Sequence, residues 1–322
     1  MLKNKVLYML EREKGNIVTG GRLASSLGVS RNAVWKAVNA LKEDGNEIVS
    51  VPNSGYRLMD TNDTLSEEVI RENLETEFIG RSLTLLPTVH STNRHLKEMD
   101  TTDTPNGHVV IANEQTNGRG RRSRMFISPK NEGVYLSILL KLDGLQNDIR
   151  LLTICAAVAV SGAIEKVCGI RADIKWVNDI FCNGKKICGI LTEAIISGEL
   201  QELSTVIVGI GINTGSVPHE LGGIATSVRE AADIRGIRNR LAAEVLNGFE
   251  RIYCDFSEKE KHPDIIGRYK NRLFIVGKQI LVTDAGRSYA ATVVGVDEKG
   301  ALIVRCDDGA VQHLSTGEIT LN

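Results

Sequence analysis

Residues 118–124 read GRGRRSR and lie between two strand-like runs of sequence, Val109 to Gln115 and Val134 to Leu142. A segment in that position is a loop of a folded sheet domain rather than a disordered basic tail. Its glycines allow backbone conformations closed to other residues, and its four arginines supply forked donors for carboxylate and phosphate oxygens. The stretch therefore predicts a sheet domain whose loop is ordered by an anionic ligand, in preference to a solvated basic loop or a nucleic-acid patch.

The sequence around this loop alternates between strand-like and helical patterns. From about residue 65 to 270, runs such as LTLLP and STVIVGIGIN alternate with helical stretches, which predicts an α/β mixed-sheet domain. The common phosphate motifs G-x-x-x-x-G-K-[ST] and G-x-G-x-x-G are missing, and GIGIN at 209–213 lacks the third glycine. A nucleotide site in this domain therefore requires another architecture.

The first 60 residues show the pattern of a helix-turn-helix. Val6 to Lys14 has helical apolar spacing, GGRLASSLG predicts a short helix, and Ser30 is placed to cap a third helix, RNAVWKAVNALKEDG. Ala33, Val34, Ala37, Val38 and Leu41 then face inward. EIVSVPNSGYRL predicts a β-hairpin, and a hairpin after a helix-turn-helix is a wing. Together these features resemble the winged helix-turn-helix family, although a three-helix bundle with solvated charges is the alternative for any one of them.

This N-terminal stretch is also the basic part of the chain. It carries nine Lys and Arg against six Asp and Glu, whereas the whole protein has a net charge of -1. Any contact with nucleic acid is therefore expected here. The candidate DNA-binding residues are Arg22, Ser30, Arg31, Asn32 and Lys36.

Two further patterns complete the domain organisation. DTNDT at 60–64 is polar and without periodicity, which predicts a linker. After Gly277, short strands separated by DAG, DEKG and DDG turns predict a small all-β, SH3-like barrel. The predicted fold is α+β multidomain, with a winged helix-turn-helix at 1–62, a ligand-binding catalytic domain at 65–270 and the β-barrel at 272–322.

Composition limits the class of protein. The 322 residues, 42% apolar with 39 basic and 40 acidic side chains, indicate a globular chain without bulk affinity for nucleic acid. The N-terminus turns charged before a hydrophobic segment develops, so we expect a cytoplasmic protein without a membrane anchor. LLTICAAVAVSGAI, from Leu151 to Ile164, has the length of a buried core helix rather than a membrane span. The six dispersed cysteines are expected to be reduced thiols.

Five motifs in order resemble the signature of biotin protein ligases: HSTN (90–93), NEQTNGRGRRSR (113–124), KWVND (175–179), GKKICGILTE (184–193) and GIGIN (209–213). With the winged helix and the C-terminal β module, the whole chain resembles the bifunctional form, which is both ligase and biotin operon repressor. The resemblance implies that ATP and Mg²⁺ activate biotin to biotinyl-5′-adenylate, and that a lysine of a biotin carboxyl carrier protein takes the biotinyl group. It also implies operator DNA as a partner and a homodimer when the adenylate is bound.

The resemblance assigns site residues by position. It implies Lys186 and Arg121 as catalytic cations, and Asp179 as a Mg²⁺ contact through phosphate. Its biotin-contacting positions are Ser91, Thr92, Asn93, Gln115, Arg119, Gly120, Arg121 and Lys186. Its adenylate-contacting positions are Gly118, Arg122, Arg124, Asn178, Asp179 and Asn213.

Each residue also has a simpler structural explanation. Lys186 alone reads as a surface lysine, but strand alternation puts Lys185 on the opposite face and makes Lys185 the better surface candidate. In HSTN, Ser91 or Thr92 can cap the helix that follows. Asn178 and Asp179 can cap a turn after a strand, GIGIN can be a close-packed strand end, and Trp176 is expected to pack in the core.

The sequence departs from the family pattern at two places. Ser123 stands where many members have glycine, and MFISP follows where an aromatic pair including tryptophan is common. We therefore expect altered loop stiffness or adenine packing. One rival function is a lipoate or octanoate protein ligase, but the arginine pair followed directly by a glycine triplet that is expected of lipoate ligases is absent. The other is a biotin-sensing transcription factor without catalysis, against which the presence of Arg121, Lys186 and Asp179 argues.

Overall fold

The computed structural model describes residues 2–99, 103–142, 149–197, 202–257, 265–284 and 287–321. At the N-terminal end, helix-turn-helix and hairpin follow one another. The elements are α1 (Leu2–Arg12), β1 (Ile17–Val18), α2 (Gly20–Leu27), α3 (Arg31–Glu43), β2 (Ile48–Val51) and β3 (Gly55–Leu58). The strands form a three-stranded antiparallel sheet in the order β1-β3-β2.

Local capping explains the helix boundaries. The hydroxyl of Thr19 accepts from the backbone N–H of Arg22 and so caps α2, and Gly28 ends that helix in the left-handed region at φ 64°. Ser30 caps α3 as predicted, because its Oγ accepts from the N–H of Ala33 at 3.2 Å. α3 buries Val34, Ala37, Val38 and Leu41, whereas Ala33 is only half-buried.

The central part is a mixed sheet covered on one face by long helices. Its helices are α4 (Glu67–Glu72), α5 (Thr92–Glu98), α6 (Ile149–Cys168), α7 (Val228–Ala232), α8 (Arg238–Ser257) and α9 (Ile265–Lys270). Its strands are β4 (Leu83–Leu86), β5 (Val109–Ala112), β6 (Gly133–Lys141), β7 (Asp173–Lys175), β8 (Asp179–Cys182), β9 (Lys185–Ser197) and β10 (Glu202–Asn213). The order is β4-β5-β6-β10-β9-β8-β7; β4 and β5 run parallel, and the other described neighbours run antiparallel.

Helix α6 forms the middle of the main core. Among the residues that the structure describes, it is a helix long and apolar enough to cross a membrane, but 72% of its most apolar window is buried. That burial, against α8 and the sheet, confirms the predicted core helix. All six cysteines are free thiols, as expected.

The C-terminal part is an all-antiparallel sheet. Its strands are β11 (Gln279–Asp284), β12 (Arg287–Val296), β13 (Leu302–Cys306), β14 (Val311–Leu314) and β15 (Glu318–Leu321), in the order β14-β13-β12-β11-β15. Strand β15 was not predicted from the sequence. The pairings between described residues do not close the sheet, so the SH3-like barrel stays a prediction.

Candidate functional site

A cavity of about 490 Å³ lies where the central sheet, the arginine-rich loop and the C-terminal sheet meet. It brings together nearly all of the ligand-binding residues predicted from the sequence. Its lining includes Ser91, Thr92, Asn93, Gln115, Arg119, Gly120, Arg121, Arg122, Arg124, Asn178, Asp179, Lys186 and Asn213. Gly118 is not in the lining; a Cβ there would lie 2.4 Å from the carbonyl oxygen of Phe126, so glycine is needed for backbone packing.

One corner of the cavity is polar and uncharged. The Oε1 of Gln115 accepts from the N–H of Thr92 at 2.9 Å, and its Nε2 donates to Ser128 Oγ at 2.9 Å. Ser91 occupies the N-cap position of α5, as the alternative interpretation predicted, but its hydroxyl makes no capping hydrogen bond. The corner fits a neutral ligand with both donors and acceptors.

Asn93 is held by protein groups. Its Oδ1 accepts from Ser137 Oγ at 2.6 Å, and its Nδ2 donates to the carbonyl of Leu191 at 3.1 Å and to Glu193 at 2.8 Å. A Cβ on Gly209 would lie 2.1 Å from that Oδ1. The first glycine of GIGIN therefore makes room for Asn93, which supports the predicted close-packed strand.

The arginine-rich loop is closed by backbone hydrogen bonds. The N–H of Gly120 donates to the carbonyl of Arg124 at 2.7 Å, and Arg122 takes a left-handed conformation at φ 52°. Arg121 is directed inward, and its Nη1 donates to Asn178 Oδ1 at 3.3 Å. Desolvation lowers the pKa of Arg121, while the nearby carboxylate of Asp179 opposes that shift.

A residue of the C-terminal sheet neutralises the outer arginines. Glu318 Oε2 lies 2.7 Å from Arg124 Nη2 and 3.8 Å from Arg122 Nη1. Sequence analysis missed Glu318 because strand β15 brings it to the cavity from 194 residues away. The alternation of apolar and polar residues in EITL could have predicted strand β15. It could not have predicted which strand or which arginines lie next to it.

The opposite wall holds a lysine-aspartate ion pair. Lys186 Nζ lies 2.7 Å from Asp179 Oδ1, which is buried and has no partner with hydrogen-bond geometry. Lys185 lies on the other face of β9 and donates to the carbonyl of Gly222 at 2.6 Å, as strand alternation predicted. Lys175, which the sequence analysis did not assign, also lines the cavity; desolvation and then Lys186 lower its pKa, and Asp179 opposes them.

Two amides and one indole of the cavity lining donate hydrogen bonds to backbone carbonyls. Asn178 Nδ2 donates to the carbonyl of Ile190 at 2.7 Å, which ties the turn before β8 to β9. Asn213 Nδ2 donates to the carbonyl of Thr226 at 3.1 Å. Trp176 is buried, as expected, and its Nε1 donates to the carbonyl of Gly300 at 2.9 Å.

Phe126 covers the floor of the cavity. A Cβ on Gly211 would lie 2.4 Å from its ring, and the ring meets Tyr135 edge to face at 6.5 Å. The cavity rim is apolar and exposed, with Met125 at 71% and Ile224 at 68%. The MFISP departure thus places phenylalanine over the floor and methionine at the rim.

The helix-turn-helix presents a second candidate surface. Arg31, Asn32 and Lys36 are exposed on α3, together with Trp35 at 53%, which the sequence analysis did not select. Ser30 is used as the helix cap, and Arg22 pairs with Glu13 at 2.8 Å. The exposed side chains of α3 are those that could reach base edges in a major groove.

Three sequence families match parts of the chain. The Biotin/lipoate A/B protein ligase family matches residues 85–213. An HTH domain family matches residues 3–57, and the Biotin protein ligase C terminal domain family matches residues 275–321. Their order is the order of the structural parts described above.

Curated proteins and solved structures extend these matches over the whole chain. The bifunctional ligase/repressor BirA of Bacillus subtilis is 34% identical over 99% of this chain and 98% of its own length. The bifunctional ligase/repressor BirA of Escherichia coli is 26% identical over 95% of this chain and 94% of its own. The biotin protein ligase from Aquifex aeolicus, in complex with biotin and ATP, has a TM-score of 0.65 at 28% identity, covering 75% of this chain and 99% of that chain. With 34% identity to such a protein over nearly its whole length, the chain belongs to the family of bifunctional biotin protein ligases and repressors.

Proposed function

We propose that this chain activates biotin with ATP to biotinyl-5′-adenylate and transfers biotin to a lysine of a biotin carboxyl carrier protein. We further propose that the adenylate-bound form represses biotin synthesis genes in the cytoplasm, and that the chain divides into domains at 1–62, 65–270 and 272–322. The observation that carries the ligase function is a cavity with a neutral polar corner at Thr92 and Gln115, and a wall of cations beside Asp179.

The proposed reaction joins two anions. A carboxylate oxygen of biotin attacks the α-phosphorus of ATP, the bond to the bridging oxygen breaks, and pyrophosphate leaves with its electron pair. The neutral acceptor amine then attacks the acyl carbon, the bond from that carbon to the phosphate oxygen breaks, AMP leaves with its electron pair, and the amine nitrogen loses a proton to solvent. Both steps gather negative charge at one place, and preorganised cations stabilise that charge in the transition state.

Several residues on the charged wall contribute to the stabilisation of this negative charge. Lys186 exchanges Asp179 for the biotin carboxylate and an α-phosphate oxygen, which places the two reactants together. Arg121 donates from the loop side, and Arg122 and Arg124 exchange Glu318 for phosphate oxygens. The buried Asp179 oxygen that lacks a hydrogen bond fits Mg²⁺, which takes few carboxylates and keeps water and phosphate ligands. The ion would neutralise phosphate charge.

The other walls suit the two uncharged ends of the adenylate. Thr92 and Gln115 offer a donor and an acceptor to the ureido ring of biotin, with Ser91 beside them. Phe126 and the glycine floor suit its apolar bicycle. The exposed rim residues Met125 and Ile224 suit the face of adenine in place of an aromatic ring.

A direct assay tests the ligase function. The protein is incubated with biotin, ATP, Mg²⁺ and a biotin carrier domain, and the carrier is weighed by mass spectrometry. We expect one biotinyl adduct per acceptor lysine. An adduct formed from lipoate and not from biotin would instead support a lipoate ligase, and no adduct with tight biotin binding would support a sensor without catalysis.

Gly211→Ala is expected to weaken biotin binding about tenfold, because the new Cβ pushes Phe126 into the cavity and overpacking costs about 1–3 kcal/mol. Isothermal titration with biotin measures the loss. Gly223→Ala is the matched control, since a Cβ there has nothing within 4 Å. Equal biotin affinities for the two variants would show that Phe126 does not contribute to the ligand site.

DNA binding is expected to depend on biotin and ATP. A single helix-turn-helix makes few phosphate and base contacts, so tight binding requires a dimer on two half-sites. A ligand that favours the dimer must bind it better than the monomer. Operator binding at fixed salt, measured with sedimentation, should tighten about fivefold or more with biotin plus ATP. Equal operator affinity and equal sedimentation mass with and without biotin plus ATP would instead indicate that the protein binds DNA independently of its ligands.

A further inference from the structure

One fully buried arginine lies between the cavity loops and the helix-turn-helix. Arg238 is the first residue of α8 and is 0% exposed. An arginine is rarely buried without paired groups around it. Its partners lie in segments on both sides of α8, and none of them is used in the proposed reaction.

On the cavity side, Arg238 holds the two ends of one long loop. Its Nη2 donates to Asn113 Oδ1 at 2.8 Å, and its Nε donates to the carbonyl of Gly133 at 2.9 Å. Between them lie Gln115, the arginine-rich loop and Phe126. Asn113 Nδ2 also donates to Asn131 Oδ1 at 2.6 Å, which closes the loop base.

The second cavity loop joins at the same place. The carbonyl of Glu132 accepts from the N–H groups of Thr214 and Gly215, both at 2.9 Å. Its carboxylate accepts from Arg229 at 3.0 Å and from the N–H of Ser216, which lines the cavity. A rearrangement of either loop therefore acts on Glu132 and on the adjacent Gly133, whose carbonyl accepts from Arg238.

On the other side, Arg238 holds the segment that was predicted to be a linker. Its Nη1 donates to the carbonyl of Asp63 at 3.0 Å, and its backbone N–H donates to the Asp63 carboxylate at 2.8 Å. The next residue, Asn239, accepts from the N–H of Ser66 at 2.8 Å and donates to the carbonyl of Thr64 at 2.9 Å. Residues 62–66 are therefore attached to the first residues of α8 and move with them.

This segment is in turn fastened to α1. The carbonyl of Asn62 accepts from Lys14 Nζ at 2.8 Å, and its amide donates to Glu11 Oε1 at 3.2 Å. Asn62 is itself buried. Direct contacts thus run from both cavity loops through Arg238 and residues 62–66 to the first helix of the DNA-binding part.

We propose that Arg238 is a positioning residue that couples ligand binding in the cavity to residues 62–66 and α1. Withdrawing one set of partners from a buried guanidinium is strongly destabilising, because it leaves the charge uncompensated. A ligand that reorders the loop therefore favours one arrangement of the segment on the other side, within a single protomer. The inference rests on the proposed function, because biotin and ATP are the ligands that reorder the loop.

Hydrogen exchange tests the coupling in the full-length protein. The amide of Ser66, which donates to Asn239, and the amides of residues 59–65 report on the segment. Exchange is measured with and without biotin, ATP and Mg²⁺. We expect the ligands to slow exchange there about fivefold or more, in the usual range of coupling between sites.

Two variants of Asn113 separate coupling from a merely structural role. Asn113→Ala and Asn113→Asp both remove the donor to Asn131, but only the alanine removes the acceptor for Arg238. We expect the ligand effect on residues 59–66 to vanish in Asn113→Ala and to persist in Asn113→Asp. Arg238→Lys, which cannot serve all three segments, should also lose it, with Arg240→Lys on the exposed face as control.

Pyrophosphate release, measured in the same samples, separates the two proposals. Release without any change of exchange in wild type would overturn the coupling, as would an equal ligand effect in wild type and Asn113→Ala. Absence of release would overturn the proposed function, and the same exchange comparison with biotin alone then decides the coupling.

Discussion

Lys186→Ala is expected to lower the rate of adenylate formation about 10²–10³-fold, the usual effect of removing one preorganised donor to developing negative charge. The lysine lies 2.7 Å from Asp179 in the cavity, so its loss also removes the ion-pair partner of that half-buried carboxylate. The melting temperature should change little, because both side chains are partly exposed. Pyrophosphate release at saturating ATP measures the effect.

Lys185→Ala provides the control on the same strand. Its ammonium donates to the carbonyl of Gly222 outside the cavity, so adenylate formation should stay close to that of wild type. An equal rate for both variants would show that Lys186 is an ordinary surface lysine.

Arg121→Gly is expected to release biotinyl-adenylate about tenfold to hundredfold faster, since a charged hydrogen bond contributes about 1.5–3 kcal/mol. The desolvated guanidinium faces Asn178 and Asp179, so no other loop arginine substitutes for it. Free adenylate then acylates bystander lysines, which mass spectrometry of an added inert protein detects.

Arg235→Gly makes the same chemical change in an exposed connection outside the cavity lining. It should retain adenylate like wild type. Slow release from Arg121→Gly, with the inert protein unmodified, would assign retention to other groups.

The sequence predicted the features that depend on local chemistry. Ser30 caps α3 through its hydroxyl, and alternation along β9 separates Lys185 from Lys186, because both effects act within a few residues. The five sequence motifs also contain most of the residues that line the cavity. Their ligand roles stay predictions until the variants are measured.

Features that depend on long-range packing could not be predicted. Glu318 reaches the outer arginines only because β15 pairs with β11 next to the cavity. Glycine is needed at position 211 because the Phe126 ring packs directly against it, and that contact cannot be predicted from the sequence. The segment predicted to be a linker is polar because its amides and carboxylates bind both neighbouring parts.

Glu318 and its neighbours form part of the cavity wall, and this has a consequence for synthesis on the ribosome. Gly317, Ile319 and Thr320 also line the cavity, so its wall is complete only after residues 317–320 have been made. A chain interrupted before residue 317 carries the arginine-rich loop without its carboxylate partner. A chain that stops before residue 317 therefore has an incomplete cavity wall.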